Sequence, residues 1–130
     1  MSGNTPYDIL NYYYMRPEID YHGRKGEVYG QDIHLLKDDM PIYIDFENTR
    51  NNYNAPTIKA TGPLYSLSLY TIGPGTLYYS VNMRQGEGAT AALPAGAEPK
   101  VFRSYSMPLF KTLNLRSRGA ETTINLTMEI

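Results

Sequence analysis

From about residue 41 onward the chain alternates apolar and polar residues with a period of two. Ile42, Ile44 and Phe46 share one face of PIYIDF, and Leu77, Tyr79, Val81 and Met83 share one face of TLYYSVNMR. In TTINLTMEI the apolar set is Ile124, Leu126, Met128 and Ile130, set against Thr123, Asn125, Thr127 and Glu129. Side chains on a strand point alternately to its two faces, so each run predicts a strand buried on one side. The same pattern predicts strands at TIKAT (57–61), LYSLSLYTI (64–72), KVFRSYSM (100–107) and LFKTLNLRS (109–117), with another at QDIHLL (31–36).

Gly62-Pro63, Gly73-Pro74-Gly75, Pro108 and Ser117-Arg118-Gly119-Ala120 fall between these runs and read as turns. Beyond residue 40 no stretch keeps a helical period. The expected fold is all-β, an antiparallel β-sandwich of jelly-roll or Ig-like type with about 6–8 strands and an N-terminal arm. Segments 109–117 and 122–130, joined by Arg118-Gly119-Ala120-Glu121, predict a terminal hairpin. Residues 41–130 are expected to form the sandwich domain, interrupted by a long Ala/Gly/Pro loop at 84–99. Residues 1–40 are expected to form an arm and an irregular segment. A short helix is expected at 5–14, where Thr5 is an N-cap candidate with Pro6 and Asp8 behind it.

The chain has 13 Tyr, 3 Phe and no Trp in 130 residues, and Tyr12, Tyr13 and Tyr14 stand side by side. Three neighbouring rings cannot all enter one core from a strand, so at least one needs another surface. Tyr pairs a large apolar face with a hydroxyl, which suits interfaces. Tyr12, Tyr13, Tyr14 and Arg16 are therefore the candidate partner-binding residues of the arm, and Arg84, Leu93 and Pro94 those of the loop.

A net charge of −1 gives no overall field favouring nucleic acid or an anionic membrane. Its distribution is polar: residues 1–50 carry nine acids against five bases, and residues 51–130 seven bases against four acids, which would help copies meet head to tail. The absence of cysteine excludes disulfides, thiolate catalysis and Cys-ligated metals. No basic-then-apolar leader opens the chain and no apolar run is long enough to span a bilayer, so the expectation is a protein that stays soluble where it is made.

Candidate chemistry is sparse. His22 and His34 each follow an aspartate by two residues, Asp20 and Asp32, a same-face spacing that would suit a metal but is common on solvated strands. There is no G-x-S-x-G elbow, and of the Gly-rich turns one carries Pro74 where a phosphate loop needs a donor N–H and the other puts the Glu87 carboxylate where the phosphate would sit. Arg103, Lys111, Arg116 and Arg118 form a candidate basic strip, and Tyr65, Tyr70 and Tyr78 a candidate glycan platform. These patterns predict a protein that is not an enzyme and uses no cofactor or metal.

A strand-rich domain at 41–130, an aromatic arm, a Gly/Ala/Pro loop and no cysteine together resemble, in overall design, the small β-sandwich decoration or cement proteins of tailed-phage heads. That resemblance implies a virion structural protein made in the host cytoplasm and placed on the outer head surface. It would form homo-oligomers, often trimers, and bind the major capsid protein. A head-fibre or tail-associated subunit fits the same design, and a carbohydrate-binding module is the alternative on the tyrosines.

Overall fold

The computed structural model describes residues 26–35 and 40–130 of the chain. The architecture is all-β. Strands β1 (Val28–Leu35), β2 (Pro41–Asp45), β3 (Ser66–Val81), β4 (Ala91–Leu93), β5 (Lys100–Arg103) and β6 (Thr112–Glu129) make one antiparallel sheet, with a 3-10 turn at Thr49–Asn51. β6 is central. It pairs with β3 along nearly its whole length, and on its other edge with β2 near its start and β1 near its end.

Both long strands bend at the same place. Register slips between Thr71 and Gly73 and again between Pro74 and Thr76, where residues 119–121 of β6 stand opposite Gly75. Extra residues in one strand of a pair bend it and sharpen its twist. The bend divides the sheet into two halves: β1, late β6, early β3 and β5 form one, and β2, early β6, late β3 and β4 the other. Ile33, Leu67, Leu69, Ile124, Leu126 and Met128 from the first half and Ile42, Ile44, Leu77, Tyr79, Leu113 and Leu115 from the second belong to one buried cluster. The sheet is thus folded on itself in a sandwich-like arrangement around a single core.

Four sequence expectations are corrected by this geometry. Segments 64–72 and 76–84 are not separate strands, because β3 runs through Gly73-Pro74-Gly75. Pro74 is tolerated there because it sits at the bulge, where its missing N–H interrupts no regular ladder. The terminal hairpin is likewise absent: Arg118-Gly119-Ala120-Glu121 is a bulge inside the continuous strand β6. The segment 57–61 is not a strand, although Ile58 and Ala60 are buried as its alternation requires. Its backbone pairs instead with a side chain, since Gln31 Nε2 donates to the Thr57 carbonyl at 3.1 Å and Gln31 Oε1 accepts from the Lys59 N–H at 2.8 Å. Because β1 pairs with β6 and buries Ile33, the sheet also takes in residues ahead of the expected boundary at 41.

Candidate functional site

Among the described residues, the sheet leaves β5 open along one edge. Ser104 N donates to the Tyr65 carbonyl at 2.8 Å, which fixes the alternation of the β3/β5 ladder. Lys100 and Phe102 turn their main-chain groups toward β3, so the N–H and C=O of Val101 and Arg103 point outward. An edge of this kind is a template for another strand. The edge of β2, by contrast, is occupied, as Tyr43 and Tyr53 exchange backbone hydrogen bonds of 3.0 and 2.9 Å.

Exposed apolar side chains follow one another along the chain from this edge. Val101, Tyr105, Met107 and Leu109 fall within nine residues, and Tyr105 is 75% exposed. Leu109 is tied to the end of β3, where Asn82 Nδ2 donates to its carbonyl at 2.9 Å. On the inner side of β5 a groove of about 500 Å³ is lined by Tyr79, Val81, Met83, Ala91 and Phe102, with Lys100 at its rim. Phe102 forms its aromatic wall, edge-on to Tyr79 at 6.2 Å and tilted against Phe110 at 5.9 Å. Burial raises the Tyr79 phenol above its ordinary pKa, so the hydroxyl stays neutral across the physiological range.

Local chemistry holds this region in shape. Asn82 takes the left-handed backbone region at φ 62°, which Asn tolerates better than most residues, and its Oδ1 accepts from the Lys111 N–H at 2.8 Å. Asn114, 3% exposed, anchors the turn beyond β3 by accepting from the Gly86 N–H at 2.9 Å and donating to the Arg84 carbonyl at 2.9 Å. Ser80 Oγ donates to the Glu87 carbonyl at 2.7 Å. Farther along, buried Thr71 donates to the Leu93 carbonyl at 2.8 Å, and the Thr71 carbonyl accepts from the Gly96 N–H at 3.0 Å. The loop expected at 84–99 is therefore a pinned turn followed by β4, because its small residues supply backbone groups that β3 and β6 capture.

The candidates drawn from the sequence scatter. Tyr12, Tyr13, Tyr14, Arg16 and the helix expected at 5–14 lie outside the described residues, as does His22. Arg84 is exposed and pairs with Glu87 at 3.3 Å, while Pro94 is exposed at the end of β4. Leu93, only 7% exposed, packs into the protein's own core and is not available as a docking residue. The three platform tyrosines do not share a surface. Tyr65 is buried at 6%, and Tyr70 and Tyr78 stand on opposite sides of the bend in β3. Tyr78 carries the Arg118 guanidinium over its ring at 5.5 Å, which splits Arg118 from Arg103 on the other half of the sheet and breaks up the expected basic strip.

His34 and Asp32 do share the outer face of β1. His34 Nδ1 lies 2.8 Å from Thr123 Oγ1 and Nε2 2.7 Å from Glu121 Oε2, while Asp32 Oδ1 accepts from Asn125 Nδ2 at 3.0 Å. These are cross-strand pairs that lock β1 to β6, and among the described residues no three His, Asp or Glu side chains gather as a metal site would require.

Sequence reasoning missed Tyr105, Met107 and Leu109 as a surface because 100–107 scans as a strand. The break is at Ser104, whose N–H makes the last ladder bond to Tyr65. The signal available was Ser104, Ser106 and Pro108 alternating with large apolar residues immediately after a run of only four strand positions. Compared with known proteins, the chain matches no family, no curated protein and no solved structure.

Proposed function

We propose that this protein is a non-enzymatic structural subunit of a virion, a decoration or cement protein that associates with copies of itself and with the major capsid protein on the outer head surface. The observation that supports this reading is the run of exposed apolar residues Val101, Tyr105, Met107 and Leu109 along and just after β5, whose outer edge no described residue pairs. Soluble monomers seldom leave contiguous large apolar side chains in water, and such patches mark docking surfaces. An open strand edge adds main-chain hydrogen bonds to the same surface, so one partner can satisfy both.

The test is the triple variant Tyr105→Ser, Met107→Ser, Leu109→Ser. All three side chains lie outside the core, so the thermal midpoint should stay close to that of the parent while self-association weakens by about tenfold or more. Unchanged association in a folded triple variant would contradict the assignment of this surface. Peptide mass spectrometry of gradient-purified particles from the source tests the virion location: the chain should be present in many copies per particle, and its absence would remove that part of the reading.

A further inference from the structure

We infer that the β5 edge receives the β1 edge of a second copy of this chain, so that the sheet continues from molecule to molecule head to tail. The inference rests on the self-association proposed above and names the surface that completes it.

Strand polarity permits the contact. β1 is antiparallel to β6, β6 to β3 and β3 to β5, so β1 and β5 run in opposite directions at the two edges of one half-sheet. A copy displaced along the sheet therefore offers β1 antiparallel to the preceding β5, which extends the existing pattern. The outward-pointing groups also match. Ile130 N donates to the Glu27 carbonyl at 3.0 Å, which places the outward-pointing main-chain groups of β1 at Val28, Gly30, Asp32 and His34. Lys59 Nζ lies 3.4 Å from the Gly30 carbonyl and covers that position, leaving Asp32 and His34 as the stretch that can meet Val101 and Arg103.

Charge selects this pairing over the symmetric one. Residues 100–111 contain Lys100, Arg103 and Lys111 and no acid, whereas residues 26–35 contain Glu27 and Asp32 and no Lys or Arg. Two β5 edges set against each other would crowd Lys100 and Arg103 of both copies with nothing to neutralise them. In the β5–β1 contact, the register that puts Arg103 opposite Asp32 puts Val101 opposite His34. Arg103 and Asp32 are both exposed, and Arg103 makes no ion pair with any described residue. Because the two surfaces differ, the contact is heterologous and builds a ring if the rotation closes, or a filament if it does not.

The absence of native cysteine makes the test direct. Full-length His34→Cys and Val101→Cys variants, each checked for retained fold by circular dichroism, are treated with bismaleimidoethane separately and as an equimolar mixture, with the mass in solution followed by light scattering. The expected result is a linked dimer formed several-fold more abundantly in the mixture than in either variant alone. Equal linking within the single-variant samples would mean symmetric edge contacts and would overturn the inference. An oligomer of undiminished mass with no linking would also overturn it while leaving self-association intact. A monomer in every sample would instead bring down the self-association on which it rests.

Discussion

Gly75→Ala is expected to be the most damaging single substitution in the described residues, costing more than about 4 kcal/mol or abolishing folding. A Cβ at Gly75 would overlap Thr122 Oγ1, would lie 2.6 Å from the Ala120 carbonyl oxygen and 3.0 Å from that of Arg118. Two of these three neighbours are backbone atoms of β6, so no side-chain rotation relieves the clash. Relief would require β3 and β6 to separate where both bend, and that bend is what folds the two half-sheets over one core. Gly30→Ala is the matched control. It lies on a strand with no atom within 4 Å of the new Cβ and should change stability little. Urea unfolding of the two variants checks the contrast, and a Gly75→Ala protein as stable as the parent would contradict the close approach of β3 and β6 at the bend.

Asn114→Ala is expected to cost about 2–3 kcal/mol, the second largest effect. The amide is nearly fully buried and serves the turn through both ends, so its loss strands the Gly86 N–H and the Arg84 carbonyl and removes the contact at 3.2 Å to Ser80 Oγ. Removing one partner from a partly buried hydrogen-bonded set takes the partners of several groups at once, which is the expensive case. Asn114→Asp should not rescue the variant, because a carboxylate still accepts from Gly86 but faces the Arg84 and Glu87 carbonyls without donors. Hydrogen exchange at Gly86 should accelerate in Asn114→Ala, where the acceptor of its N–H is gone. Unchanged exchange there would show that the turn is held by something other than Asn114.

Much of the fold could be read from periodicity alone. Ile124, Leu126 and Met128 are fully buried as their alternation requires, and so are Ile42, Ile44 and Phe46. The errors in the two long strands came at bends, where local signals for a turn and for a bulge coincide. In β3 the buried positions Leu67, Leu69, Leu77 and Tyr79 keep the same parity across Gly73-Pro74-Gly75, a sign of one continuous strand that the turn-forming residues masked. In β6 the parity changes, from Leu113 and Leu115 to Ile124 and Leu126, and a change of phase is produced equally by a hairpin or by a bulge. Choosing between them requires the partner strand, which is remote in sequence. The docking surface was less legible than the core for a similar reason. An apolar residue in alternation announces a buried face, but whether Val101 or Tyr105 is covered depends on how many strands lie beyond β5. The head-to-tail charge asymmetry was visible along the chain; the topology supplies its spatial form by placing acidic β1 and basic β5 at opposite edges of one half-sheet.

Whether this chain is a docking subunit whose exposed apolar edge meets copies of itself is tested most directly by its absolute mass, measured by light scattering across a concentration series. The expected mass is a multiple of 14.7 kDa that falls toward that value only on dilution. A mass of one chain at every concentration would contradict the docking role.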